Sequence, residues 1–403
     1  MTIDYDPFDS STAADPYPAY ERLRNEAPVH WAEATGTFVL SRHDDVAWAL
    51  GDTDLFSSDA MRGVLLGQPT GQGQERLPRA DAMGILVSVD PPHHSELRRI
   101  VARGFTPRTM AGWRDRIDEV VRELLAGDGA DDPFDVIGRL AAPLPVRVIA
   151  ELVGADPSDA DRFKTWADAM TQVMSGSART TGMGPEAMLA MLELADDLGH
   201  RIDDRQEDPR DDLLTTLVEA KGEDVLSREE AVGFAALLLF AGTETSTNLI
   251  GNAVAALVDH PHQLARLQAA PARLAGVIEE TLRWESPVQY VFRRTTQPVE
   301  RHGVELPVDS TVTLLLGAAN RDPRRWGETA GSFAPDRDAK GHVAFGWGPH
   351  FCLGAALARA ETELALTHLL PLLDGATFAR PDTDWLDSLQ FRGRRTLELT
   401  RGS

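Results

Sequence analysis

The sequence predicts a mainly α-helical fold with small β-sheets, and three observations carry that prediction. Apolar residues recur at helical spacing from about residue 92 to residue 285, with stops at Asp/Pro/Gly clusters such as GDGADDP (127–133), GADPSD (154–159) and QEDPRDD (206–212). A second strong helical pattern, LGAALARAETELALTHLL, covers 353–370. Alternating β-rich pieces occur towards the two ends. The expected organisation is one domain over 1–403, helix-rich at about 90–285 and 345–370 and β-rich at about 25–60, 288–318 and 385–400.

In chain order, TFVLSR (37–42) reads as a strand, and GQPTGQGQERLPR (67–79) as a loop, either one that opens over a pocket or an ordinary solvated one. PFDVIGRLAAPLPVRVIAELVG (133–154) reads as one buried helix that tolerates a proline, and SGSARTTGMGP (175–185) as a second loop with the same two readings. LSREEAVGFAALLLFAGTETSTNLIGNAVAALVDH (226–260) is a single long helical pattern, apolar nearly all round at its centre, and so belongs in the core. VQYVFRRT (288–295), STVTLLLGA (310–318) and RRTLELT (394–400) complete the strands.

Composition narrows the function. With 403 residues, 42% hydrophobic and 26% charged, the chain is globular. A net charge of -23 opposes non-specific binding to nucleic acid or anionic membranes. The N-terminus has no basic region followed by an apolar run, and no apolar span reaches about 18 residues, so neither secretion nor membrane insertion is expected. One cysteine, Cys352, cannot close an intramolecular disulfide, which fits a cytoplasmic protein.

Cys352 lies in FGWGPHFCLG (345–354), after a Gly-rich turn and just before a helix. Backbone N–H groups at such a place can stabilise a thiolate and make it a ligand. The pattern F-x-x-G-x-H-x-C-x-G is met by Phe345, Gly348, His350, Cys352 and Gly354. Two further segments carry chemistry of their own. EETLRW (279–284) sets Glu280 and Arg283 on one helix face. In AGTETS (241–246), Gly242 weakens the long helix, and Thr245 can bond back to the carbonyl of residue 241 beside the acid Glu244.

With DPPHHSELRR (90–99), these segments resemble, in order and over essentially the whole chain, the cytochrome P450 family of the soluble bacterial type. LFSSD (55–59), GFTPR (104–108), ANRDP (319–323) and SFAPDR (332–337) agree with it; Pro298 and Trp347 are departures that leave the catalytic set alone. The resemblance implies a haem b cofactor whose iron takes Cys352 as its thiolate ligand. It implies further that Phe345, Gly348, Gly354, Ala241 and Gly242 surround the cofactor, and that Glu280 and Arg283 form a buried structural pair. Glu244 and Thr245 become the acid–hydroxyl pair that moves protons during O2 use. His94, Arg98, Arg293 and His350 become propionate ligands, with Arg294 as the register alternative to Arg293, since strand alternation turns only one inward.

By the same resemblance, the substrate pocket draws on Leu65, Leu66, Met83, Ile85 and Val87; on Met170, Val173 and Met174; on Leu237 and Leu238; and on Val288, Tyr290, Val291, Gln390 and Phe391. That set implies a bulky hydrophobic small molecule. The chain carries no flavin or iron–sulfur module, so electrons are expected from a separate ferredoxin and its NAD(P)H-dependent reductase, docking on Arg99, Arg103 and Arg359. The implied activity is a monooxygenase that hydroxylates or epoxidises a natural product. Two rivals are a P450-fold enzyme that couples, dehydrogenates or rearranges without oxygen insertion, and a non-catalytic haem sensor or carrier.

Overall fold

The computed structural model describes residues 3–61, 86–126, 133–156, 159–174, 185–219, 226–380 and 384–400, with the side chains of 107, 160, 170–174 and 187 outside the description. The two expected loops therefore lie outside the described residues, except that Pro185 begins a helix.

The long helical pattern is one helix, Arg228–Asp259. Its start is held by a capping box: the Ser227 hydroxyl accepts from the Glu230 N–H at 3.1 Å, and the Glu230 carboxylate accepts from the Ser227 N–H at 2.7 Å. Most of this core helix apart from a stretch at 241–247 is buried, because helices Pro143–Leu152, Ala160–Met174, Pro185–Glu207, Leu274–Trp284 and Ala355–Leu369 pack around it. That packing explains the missing polar face in the sequence.

The segment 133–154 departs from the expected single helix. It comprises a short strand (Phe134–Asp135), a π-helical turn (Ile137–Ala141) and a helix that begins at Pro143. Proline lacks an N–H and suits the first turn of a helix, so Pro143 starts a new helix instead of sitting inside an old one. The Ala142 N–H reaches back to Ile137 O at 3.0 Å, widening the turn between the two.

A five-stranded sheet lies beside the helices. Val29–Ala32 pairs antiparallel with Thr37–Leu40, which runs parallel to Thr311–Leu315; that strand pairs antiparallel with Tyr290–Thr295, and the edge is Phe56–Ser57. Arg293 stands opposite Val312 and Arg294 opposite Thr311, so the two arginines project from opposite faces. Within the β-rich stretch 25–60 there is also a helix, His43–Gly51. Glu398–Thr400 joins Phe134–Asp135 and Thr377–Phe378 in a second, three-stranded sheet, which ties the C-terminal strand to the segment before the π turn. Among the described residues, no helix is long and apolar enough to cross a membrane.

Candidate active site

The Cys loop turns twice through left-handed backbone, at Gly346 (φ 72°) and Gly348 (φ 68°), conformations that a side chain would strain. The Cys352 N–H closes the loop on Phe345 O at 2.8 Å. Gly348 faces away from the cavity described below: a Cβ there would lie 2.9 Å from Gly51 Cα, so its small size serves the packing of the loop on helix His43–Gly51. Gly346 takes the cavity-side place expected of Gly348.

Burial pushes the Cys352 thiol up, while the Gly354 N–H and the Arg98 and Arg359 guanidiniums pull it down without overcoming burial. Burial thus favours the thiol in the protein alone, and a cation at the sulfur would favour the thiolate. Among the described residues no cluster of three or more His, Cys, Asp or Glu could hold a bare ion, so a metal at Cys352 would bring its other ligands with it.

Arg359, expected to be an exposed base, is instead half-buried. It grips Glu279 through a fork at 2.6 and 2.9 Å and stands 4.6 Å over the Phe345 ring. Burial would raise Glu279, but Arg359 and His342 hold it down to about 2.

Cys352 opens on a cavity of about 310 Å³. Phe345 and Gly354 line it from the Cys loop, and Leu237, Leu238, Ala241, Gly242 and Thr245 from the core helix. Val87, Val288, Val291, Gln390 and Phe391 also line it, as expected. At Gly242 a Cβ would come within 2.8 Å of Ile149 Cδ1, so the glycine lets helix Pro143–Leu152 close on the core helix. The Thr245 hydroxyl donates to Ala241 O at 2.6 Å, the back-bond expected from its sequence.

One region of the wall is cationic. His94, Arg98, Arg293 and His350 all line the cavity. The His94 and His350 rings lie 4.0 Å apart, and the His350 Nε2 pairs with Ser58 Oγ at 3.0 Å. Both nitrogens of His94 and the Nε of Arg293 are buried with no protein partner. Burial first, and the neighbouring arginines after it, lower His94 to about 4 and His350 to about 2. Arg293 falls to about 10 through burial. A buried group of donors without acceptors is costly unless an anion meets it. These residues therefore fit a group bearing two carboxylates beside a metal at Cys352. Arg98 in the meantime donates to Phe351 O at 2.6 Å. Arg294 points the other way and pairs with Asp59 at 2.9 Å, which favours Arg293 between the two register choices.

Glu244, the expected acid beside Thr245, stands outside the cavity wall and accepts from Asn248 Nδ2 at 3.0 Å, one turn along the same helix. One expectation is corrected. Tyr290 is not in the wall either, because strand alternation carries its ring into the cluster of Tyr5, Tyr17 and Tyr20. Leu65, Leu66, Met83 and Ile85 lie outside the described residues, as do the side chains of Met170, Val173 and Met174. Wall residues that sequence reasoning missed include Phe105, Ile149, Phe234, Ser246 and Glu361. Phe105 sits in the GFTPR segment and Glu361 on the helix after the cysteine, so their positions alone were the available signal.

A family model described as Cytochrome P450 matches residues 186–374. Cytochrome P450 107B1 of Saccharopolyspora erythraea is 36% identical over 98% of this chain and 97% of its own length. The chain belongs to the cytochrome P450 family. Vitamin D(3) 25-hydroxylase of Pseudonocardia autotrophica is 38% identical over 91% of this P450 and 89% of itself. The solved structure of cytochrome P450 CYP109Q5 from Chondromyces apiculatus superposes with a TM-score of 0.88 at 34% identity, covering 100% of this chain and 99% of that one. The cofactor of this P450 is haem b, and its class of activity is monooxygenation.

Behind the site of this P450 lies a fully buried ion pair. Arg283 forks onto Glu280 at 2.7 and 2.8 Å, and neither side chain has any exposure. Arg283 also donates to the carbonyls of Asn320, Ala330 and Ser332, while Glu280 accepts from the Ala334 N–H and from Arg337. Every strong donor and acceptor of the pair is thus matched, which a buried charge pair requires.

Proposed function

We propose that this P450 inserts one oxygen atom of O2 into a C–H bond of a bulky, mostly apolar small molecule. The observation that carries the reading is the convergence of Cys352, Thr245, a buried cationic cluster and an apolar wall on one cavity. In this reading Cys352 ligates the haem iron, and His94, Arg98, Arg293 and His350 take the propionates. When bound, the haem supplies the one-electron and O2 chemistry. Thr245 gives its hydrogen to Ala241 O, so its lone pairs can accept from a cavity water and orient that water for proton transfer. Glu244, next along the core helix and held by Asn248, draws protons from outside the cavity and passes them on by a rotamer change. Phe240 and Phe391, with ring centroids 5.7 Å apart, brace the wall where substrate would lie.

The substrate class follows from the wall: Leu237, Leu238, Val87, Val288, Val291 and Phe391 offer area without hydrogen-bonding groups, and Gln390 gives one polar anchor. Relatives named vitamin D(3) 25-hydroxylase and erythromycin C-12 hydroxylase make a steroid-like or macrolide natural product a sensible first choice. Electrons come from a separate ferredoxin and reductase, with the exposed Arg99 and Arg103 on the docking face. The test is a spin-state titration of the ferric protein against steroid, macrolide, terpenoid and aromatic ligands. A ligand that shifts the spin state and is then hydroxylated with label from O2 supports the reading; conversion without label overturns it in favour of coupling or dehydrogenation.

A further inference from the structure

We propose that Asp90 is a positioning residue of the propionate site: through Ser57 and Ser58 it joins the three segments that carry His94, Arg98, Arg293 and His350, and it sets a negative charge among them. The inference rests on the reading that those four residues take the propionates.

Asp90 stands at the turn before helix His93–Val101, which carries His94 and Arg98. Its backbone carbonyl accepts from the His94 N–H at 3.0 Å, at the start of that helix. Its carboxylate reaches the other way: Oδ1 accepts from the Ser58 N–H at 2.8 Å, and Oδ2 accepts from the Ser57 hydroxyl. Ser57 belongs to the edge strand, where it stands opposite Arg294, the neighbour of Arg293. Ser58 is fully buried, and its Oγ lies 3.0 Å from Nε2 of His350 on the Cys loop. Helix, strand and Cys loop are thus joined by one carboxylate and two serines.

The charge matters as much as the bonds. Two propionates would meet two arginines, Arg98 and Arg293, while burial keeps His94 and His350 neutral in the protein alone. Asp90 adds a third negative charge to that balance. It raises both His94 and Arg293, in each case against a larger lowering by burial. His94 is also faced by Arg98 from its own helix, by Arg293 from the strand and by the His350 ring from the Cys loop, whereas His93 is turned to Glu96 and Glu230. With the propionates in place, negative charges outnumber the arginines. His94, which has no partner on either nitrogen, is then the group placed to take up a proton.

Two variants separate the charge from the bonds, and neither readout is turnover. Asp90→Asn keeps a carbonyl oxygen for the serines and removes the charge. The reduction potential of its holoprotein should rise, because a negative charge beside the haem disfavours the added electron. The further rise on acidification, which His94 gives by gaining a proton, should begin at lower pH than in the wild type. Ser58→Ala keeps the charge, and its N–H still reaches Asp90, but His350 loses the hydroxyl. Transfer of its haem to apomyoglobin should quicken about fivefold, the equivalent of one neutral hydrogen bond.

An Asp90 that served only the fold would lower the melting temperature of Asp90→Asn and leave its potential and pH profile those of wild type, and that result overturns the inference. Haem transfer from Ser58→Ala at the wild-type rate does the same. If Arg293→Gln also keeps its haem as wild type does, the propionate reading itself fails. Should Asp90→Asn not take up haem, Ser57→Ala replaces it: with one of its two holds gone, the carboxylate is free to turn from His94, and a smaller shift of the pH profile in the same direction is expected. An unchanged profile there overturns the inference.

Discussion

His94 and His350 lie ring against ring at 4.0 Å between two arginines, Arg98 and Arg293, in a wall that offers neither nitrogen of His94 an acceptor. Both histidines are therefore neutral in the folded apoprotein, at about 4 for His94 and about 2 for His350 against an ordinary 6.5. Below that ordinary value the unfolded chain binds protons that the folded apoprotein excludes. Its stability is complete above about pH 6.5 and drains away as the pH falls. Glu361, raised from 4.5 to about 8, contributes the opposite slope, which a Glu361→Gln background removes; His30, also lowered by burial, adds to the slope of the pair. In that background the melting temperature of apoprotein should fall between about pH 7 and pH 5. Haem-loaded protein should show a shallower fall, since propionates beside the rings favour the protonated forms. Equal slopes would remove the histidines from propionate binding.

Neighbouring arginines on one strand separate two roles. Arg293 Nε is buried without a protein partner, while Arg294 is tied to Asp59. Arg293→Gln should weaken haem retention by about 10- to 100-fold, the equivalent of about 1.5–3 kcal/mol for a charge-assisted hydrogen bond. Arg294→Gln should leave retention unchanged. Transfer of haem to an excess of apomyoglobin measures both, and the reverse order would move the propionate contact to Arg294.

These assignments show what the sequence could and could not carry. The Cys loop and the core helix were legible because their signals are local, fixed spacings and helical periodicity, whereas the burial of the Glu280–Arg283 pair came from the resemblance. The Ser246–Glu361 contact spans 115 residues and depends on which faces of two helices meet, which periodicity does not specify. The packing of Gly348 was hidden for the same reason, since its neighbour is Gly51, far away along the chain. Tyr290 followed a correct pattern, yet the alternation of a strand turned it out of the wall.

Thr245 and Glu244 should fail differently. Thr245→Ala removes the hydroxyl in the wall but keeps the apolar surface, so spin-state response to substrate should persist while electrons are diverted to peroxide. Glu244→Gln keeps a partner for Asn248 and should slow turnover without that diversion, because proton supply slows while water in the cavity remains ordered. Asn248→Ala frees Glu244 from its hydrogen bond and should change turnover less than either. Product and peroxide yields per NAD(P)H distinguish the three, and identical uncoupling in all of them would contradict the separate roles.

The Glu280–Arg283 pair makes the firmest stability prediction. Glu280→Gln leaves the Arg283 charge fully buried with its fork half matched, while its other hydrogens still reach Asn320, Ala330 and Ser332. Removing one partner of such a pair costs about 3–5 kcal/mol, a large part of the stability of any domain. Arg283→Lys keeps the charge but cannot span Glu280 and three carbonyls from one point, so it should be nearly as damaging. Arg337→Lys touches only the edge of the network, at 3.3 Å from Glu280, and should cost far less. Soluble yield and urea midpoints should rank the variants with Arg337→Lys close to wild type and the other two far below it. If Glu280→Gln unfolded at the wild-type midpoint, the pair would be dispensable to the fold, and the matched donors around Arg283 would be carrying the charge alone.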